Sequence, residues 1–207
     1  MSSEWRDGGE NGFRDDWPDA PDEVLTEWLP SNEDPARPLM TVATVDESGA
    51  PDSRTTLLSA WDEQGFYLHT DARSRKAAQL ERDPRVSLTL HLPAAARQIT
   101  VQGVASRAPA EELEWAFEHR SPYLQQLAWQ NTVEFASLPR IDRISAWEAF
   151  HADHPEGFTA PPNWTGFLVR PSRITFWVGS TVTASRRVEY SRGTTGDEDW
   201  TVTQRAG

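Results

Sequence analysis

Nine short runs of strand-forming residues, closed by turn chemistry, restrict this sequence more than any other feature. Leu39-Met-Thr-Val-Ala-Thr-Val45 leads into the turn Asp46-Glu-Ser-Gly49. Arg54-Thr-Thr-Leu-Leu58 follows, and Asp62-Glu-Gln-Gly65 turns the chain into Phe66-Tyr-Leu-His69. Val86–Leu92 and Gln98–Val104 alternate apolar and polar residues, as half-buried strands do. Further runs cover Thr165–Arg170, Ile174–Val178, Arg187–Ser191 and Trp200–Gln204, with Thr194–Asp199 expected as the last hairpin turn. The short spacing of the first three runs predicts an antiparallel meander. Helical patterns interrupt the series. One covers 74–82 and ends at Asp83-Pro84. Others run from Pro109, through Leu113, Phe117 and Trp129, with a break at Ser121-Pro122, and over Ile141–Phe150. The expected fold class is mainly β with α insertions, a closed or split β-barrel rather than a doubly wound sheet.

The charge is unevenly placed. The chain carries −12 over 207 residues, but residues 1–36 hold eleven acids against Arg6 and Arg14, so −9 lies there and −3 in the remaining 171. Residues 1–23 read as an acidic disordered arm and 24–207 as the domain. Val24, Leu25, Trp28 and Leu29 predict a short amphipathic helix that starts near Asp22 and ends at Pro30. So acidic a chain argues against nucleic-acid partners. No apolar run reaches the roughly 18 residues that a membrane span needs. No secretory leader pattern is present, and a cytoplasmic protein is the expectation. With no cysteine, thiolate metal sites, iron–sulfur clusters and cysteine nucleophiles are excluded.

Chemistry is most legible at the start of the 74–82 helix. Ser74 reads as its N-cap, yet Arg75 and Lys76, the one lysine beside nineteen arginines, occupy the first turn. Cations there oppose the positive end of the helix dipole, whereas a bound phosphate would reverse that sign. Two solvated surface charges are the competing reading. No glycine-rich nucleotide loop is present. His151 and His154 lack a third metal ligand at useful spacing, and no nucleophile elbow or paired-carboxylate motif appears. Ten tryptophans serve packing or the stacking of a planar heterocycle.

Three blocks, Arg54-Thr-Thr-Leu-Leu-Ser59, His69-Thr-Asp-Ala-Arg-Ser-Arg-Lys76-Ala-Ala-Gln-Leu and Asp83-Pro-Arg-Val-Ser-Leu88, resemble the pyridoxamine 5′-phosphate oxidase family. Arg97-Gln98-Ile-Thr-Val-Gln-Gly103 and Ile174-Thr-Phe-Trp177-Val-Gly extend the resemblance over roughly residues 24–204. It implies an FMN-binding split β-barrel working as a homodimer, with FMN at the subunit interface. By position it implies cofactor contacts from Arg54, Thr55, Thr56, Leu57, Leu58, Ser59, His69, Thr70, Arg75, Lys76, Gln98, Trp177 and Arg187, with Arg75 and Lys76 on the phosphate.

The departures fall on the substrate side. Where the family holds the substrate phosphate with lysine, tyrosine and serine, this chain has Ser59, Ala116 and a position near Leu124, while Arg120 remains. Tyr123 and Ser121 stand close by as substitutes. The family's late arginine and histidine become Thr183 and Ser185, and the last arginine survives as Arg187. Arg120, Ser59, Thr183 and Ser185 are thus the candidate substrate residues; no catalytic residue is assigned. Losing two or three charge-assisted hydrogen bonds, about 1.5–3 kcal/mol each, would weaken capture of a phosphorylated pyridine by orders of magnitude. The expected function is an FMN-dependent oxidase of a different small metabolite, aromatic or unphosphorylated, with O2 as acceptor. The alternatives are a genuine pyridoxal 5′-phosphate-forming oxidase and a non-catalytic flavin-binding protein.

Overall fold

The computed structural model describes residues 16–193 and 199–207. Nine antiparallel strands form one curled sheet: β1 (Leu39–Val45), β2 (Pro51–Leu57), β3 (Ala60–Asp62), β4 (Gly65–Asp71), β5 (Arg85–Leu92), β6 (Arg97–Arg107), β7 (Trp164–Val178), β8 (Arg186–Ser191) and β9 (Thr201–Ala206). The helices are α1 (Asp22–Trp28), α2 (Arg75–Arg82), α3 (Ala110–Glu118), α4 (Pro122–Gln130), α5 (Val133–Ala136) and α6 (Arg140–Ala152). The main path runs β2-β1-β5-β6-β7-β4-β3, with β8 added to β7 and β9 to β8. Its two ends, β2 and β3, are consecutive in the chain and joined through Leu58 and Ser59. The sheet therefore curls round to a half-barrel, as the strand spacing led one to expect.

The expected meander is corrected. β1–β2 and β3–β4 are hairpins, but β4 pairs with β7 rather than β2. Two runs read as separate strands, 165–170 and 174–178, are one strand, β7. Its partner register slips at Gln102/Gly103, opposite Pro171 to Arg173. A bulge is where a sheet tolerates proline, so Pro171 bends the strand without ending it. Gly103 is required there, since a Cβ would lie 2.0 Å from the Arg170 carbonyl oxygen.

Alternating residues of β1, β4, β5, β6, β7 and β8 fill the barrel with Met40, Val42, Phe66, Leu68, Leu88, Leu90, Ile99, Phe176 and Tyr190. Val24, Leu25 and Trp28 of α1 and Ala77 and Leu80 of α2 close it, on the faces their spacing predicts. Trp17 packs on Trp28 and Phe176, at 6.4 and 5.9 Å between ring centroids. The arm boundary expected at residue 23 therefore lies too late, because an indole with apolar area to bury anchors the chain by residue 17. Residues 1–15, and most of the expected 194–199 turn, lie outside the described residues.

β4 is buried on both faces. Phe66 and Leu68 point into the barrel. On the other face Tyr67 joins Ala60, Ala108 and Leu168 beneath Leu113 and Trp115 of α3. His69 shares that face by the two-residue period of a strand.

Candidate active site

Thr55, Thr56 and Leu57 of β2, His69 and Thr70 of β4, Lys76 of α2 and Arg120 line one cleft of about 310 Å³. Ser74 caps α2 by accepting from the Ala77 amide, as its place before the helix predicts. Lys76 Nζ donates to Thr70 Oγ1 at 2.9 Å, and that oxygen lies 3.2 Å from Ser74 Oγ. Asp71 is held by Arg73 at 2.7 Å, and among the described residues no carboxylate is within ion-pair distance of Lys76. Burial, with the nearby Arg54, depresses the Lys76 ammonium below its ordinary value. A half-buried cation met only by hydroxyls, at the opening of a helix, fits the phosphate of FMN.

Arg54 and Arg75 do not join this cleft. Asp52, unremarked in the sequence, accepts from Arg75 Nε at 2.8 Å, Arg54 Nη2 at 2.8 Å and Gln79 Nε2 at 2.9 Å. Hydrogen bonding from Gln79, with both guanidinium groups, holds the Asp52 carboxyl below the usual range. Its signal was available: Asp52 stands two residues before Arg54, on the same strand face.

A second cavity, about 180 Å³, shares Leu57, Arg120 and Leu124 with the first. Ser59, Trp115, Ala116, Ser121 and the Glu33-Asp34 loop also line it. The structure thus brings Ser59 into one cavity with Ala116, Arg120 and Leu124 from a distant part of the chain. Tyr123 instead points largely to solvent. Arg120 lies 4.4 Å above the Trp164 ring and donates to the Leu124 carbonyl at 3.4 Å, with no carboxylate partner among the described residues. Burial lowers its pKa to about 10. Ser59 Oγ is buried without a hydrogen-bond partner.

The remaining expected residues divide. Leu58 has its side chain wholly buried in the barrel core, which leaves only its backbone for the expected cofactor contact. Gln98, Trp177 and Arg187 are register neighbours on β6, β7 and β8 and line an open groove of about 530 Å³ elsewhere on the sheet. Thr183 is exposed and Ser185 partly so on the β7–β8 connection, outside both cavities. His151 and His154 face Gln126 and the Phe150 carbonyl, and no metal-holding cluster occurs among the described residues.

Sequence reasoning also missed Glu112. Its Oε1 lies 3.5 Å from His69 Nε2, in a pair with side-chain exposures of 13% and 0%. His69 stacks on Trp164 at 5.1 Å and 9°. Burial, with Arg120, pushes its imidazole down to about 3, while burial, with Asp62, raises Glu112 to about 7.

Comparison with known proteins bears on the family and the fold. A family model described as pyridoxamine 5′-phosphate oxidase matches residues 27–177. A second, described as the pyridoxine 5′-phosphate oxidase C-terminal dimerisation region, matches 164–206. A pyridoxine/pyridoxamine 5′-phosphate oxidase of Streptomyces avermitilis is 38% identical over 68% of this chain and 63% of its own length. One of Salinibacter ruber is 31% identical over 91% and 90%. Among solved structures, PhzG of Burkholderia lata 383, in complex with tetrahydrophenazine-1-carboxylic acid, superposes with a TM-score of 0.76. It is 24% identical and covers 93% of this chain and 95% of its own. A pyridoxamine 5′-phosphate oxidase-related, FMN-binding protein of Nostoc punctiforme gives 0.55 at 20% identity, covering 82% and 88%.

Proposed function

The chain belongs to the pyridoxamine 5′-phosphate oxidase family, and from that membership we propose that it is an FMN-dependent oxidoreductase whose substrate is a small metabolite other than pyridoxine or pyridoxamine 5′-phosphate, with O2 as acceptor. When bound, FMN supplies the redox chemistry itself, so the chain's residues need only bind, orient and exclude water. Lys76, Thr70 and Ser74 hold the phosphate, and Thr55, Thr56 and His69 border the rest of the cleft. Arg120 sits between the two cavities, a buried positive charge that orients an anionic group of the substrate. Gln98, Trp177 and Arg187 lie apart from this cleft, so within one chain they contribute nothing to it. The dimerisation region spans two of them and supports a homodimer in which that surface completes the partner's site.

The lining of the 180 Å³ cavity carries the substrate reading. A phosphate dianion entering it meets one buried arginine, the carboxylates of Glu33 and Asp34, and the apolar Ala116 and Leu124. The guanidinium of Arg37, also at the wall, is engaged by Ser31, Asn32 and Leu58. Such a site favours a less charged or planar apolar ligand, against the indole of Trp115 stacked on His119. The names of the relatives favour a second reading, a genuine pyridoxal 5′-phosphate-forming oxidase. Anaerobic mixing of the FMN-loaded protein with pyridoxamine 5′-phosphate decides between them. Slow or absent bleaching of the flavin is expected, and rapid bleaching would establish the second reading. Failure of every amine, alcohol and dihydroaromatic compound to bleach it would indicate a flavin-binding protein without turnover.

A further inference from the structure

Between β4 and α3 lie three buried polar atoms without a hydrogen-bond partner, Nδ1 and Nε2 of His69 and Oε1 of Glu112. Burying such groups unpaired costs about 1–3 kcal/mol each, so an arrangement that concentrates three of them calls for a reason. The fold makes deliberate room for the ring. His69 faces Gly166 across the β4–β7 ladder, and a Cβ there would lie 2.6 Å from His69 Cδ2 and 2.8 Å from Nε2. Trp164 fixes the plane of the imidazole by stacking, and Glu112 stands 3.5 Å from Nε2. One ring nitrogen thus faces a carboxyl group. The other, Nδ1, is turned from that carboxyl and has no hydrogen-bond partner, on a residue that lines the cleft.

We propose that Glu112 sets the tautomer of His69, and so decides whether Nδ1, the nitrogen turned from Glu112, donates or accepts a hydrogen bond. A protonated Glu112 donates its O–H to Nε2, which places the ring proton on Nδ1 and makes Nδ1 a donor. An ionised Glu112 must be met by an N–H on Nε2, which leaves Nδ1 an acceptor. One proton is lost in the change, from the pair to solvent, and the ring stays neutral throughout. The surrounding charges suit this. Arg120 opposes a second proton on His69. Asp62, which accepts from Tyr67 Oη at 3.0 Å, opposes ionisation of Glu112, while Arg170 acts on Tyr67 beyond it. Glu112 is raised to about 7, so the change falls near neutral pH. Glu112 is a positioning residue here and His69 the group presented to the cleft. The consequence for the flavin rests on the functional reading above, but the tautomer change itself does not.

The test is long-range 1H–15N correlation of the FMN-loaded protein labelled with 15N-histidine, with His69 picked out from the five histidines by His69→Gln. Between about pH 5.5 and 8.5 the two nitrogens of His69 are expected to exchange their pyrrole-like and pyridine-like shifts, without passing through a charged ring. In Glu112→Gln a pH-independent tautomer is expected, with FMN still bound. The flavin absorption maximum should shift with the same midpoint in the wild-type protein and not in the variant. A single His69 tautomer across the range, an ordinary protonation near pH 6.5, or a switch that survives in Glu112→Gln would overturn the proposal. The wild-type titration decides even where the variant fails to fold. Protein that takes up no FMN yet shows the exchange would refute the functional reading and leave this inference standing.

Discussion

Asp52 holds the Arg75 guanidinium at 2.8 Å, outside the cleft that Lys76 lines. Neighbouring cations in one helical turn therefore have different tasks. Arg75 is neutralised by a carboxylate of the same chain, and its side chain is 76% exposed. Lys76 is half-buried and meets only hydroxyls.

FMN affinity should separate the two. Lys76→Met removes a charge-assisted bond of about 1.5–3 kcal/mol, roughly a 10- to 150-fold weaker Kd by flavin fluorescence quenching. Arg75→Ala should change it by no more than about threefold, as an exposed pair contributes little. Asp52→Asn, which removes the carboxylate that holds Arg75 while Arg54 keeps its bonds to Thr44 and Gln79, should tighten binding. Equal losses in Lys76→Met and Arg75→Ala would contradict this division of roles.

Arg120 should prove dispensable for folding. Replacing a buried charge that lacks a carboxylate partner by an apolar side chain of similar length is neutral or stabilising, whereas breaking a buried pair costs about 3–5 kcal/mol. Arg120→Met is expected to keep or raise the urea unfolding midpoint and to retain FMN. A large drop in the midpoint would reveal an internal anion on this arginine.

Adjacent residues 58 and 59 should respond oppositely. Leu58→Ala opens a cavity in the barrel core and should cost about 2–5 kcal/mol in urea unfolding. Ser59→Ala removes a buried hydroxyl that has no partner, and stability should hold or rise. A mild Leu58→Ala effect would return that side chain to the cofactor surface.

The His69–Glu112 pair gives stability two opposed pH dependences. Glu112 is raised in the folded protein, from the ordinary 4.5 to about 7. Its contribution favours folding below pH 4.5 and is lost as pH rises through 7. His69 is depressed from 6.5 to about 3, so its contribution is present above 6.5 and lost as pH falls toward 3. Melting curves should therefore show Glu112→Gln flattening the change between about pH 5 and 7.5, and His69→Gln the loss on the acid side. Unaltered profiles in both variants would show that neither group is perturbed by its burial.

Much of this architecture is legible in local sequence. The helix with Ser74 as its cap, the Ser121-Pro122 start of α4 and the alternation of β1 and β5 follow from chemistry within a few residues, and the structure keeps them. What local pattern could not give was strand partnership. The pairing of β4 with β7 joins segments about a hundred residues apart, and the bulge that unites β7 depends on Gly103 in another strand. The short helix Val133–Ala136 also went unread, since four residues show no helical period.

By itself the sequence determined an acidic N-terminal segment before a nearly neutral domain, a strand-rich barrel, a cysteine-free chain whose redox chemistry has to come from a cofactor, and a lone lysine, Lys76, in the first turn of a helix. Only the tertiary structure decided which cations are free and which residues share a cavity. Asp52 claims Arg54 and Arg75 through side chains on β2 and α2, Arg120 and Ser59 line one cavity, and Glu112 reaches His69 from a helix laid on the back of β4. The physical reason is the same in each case. Charge pairing and burial are set by distance in space, and the closing of the sheet brings residues separated by tens of positions to within a few ångströms.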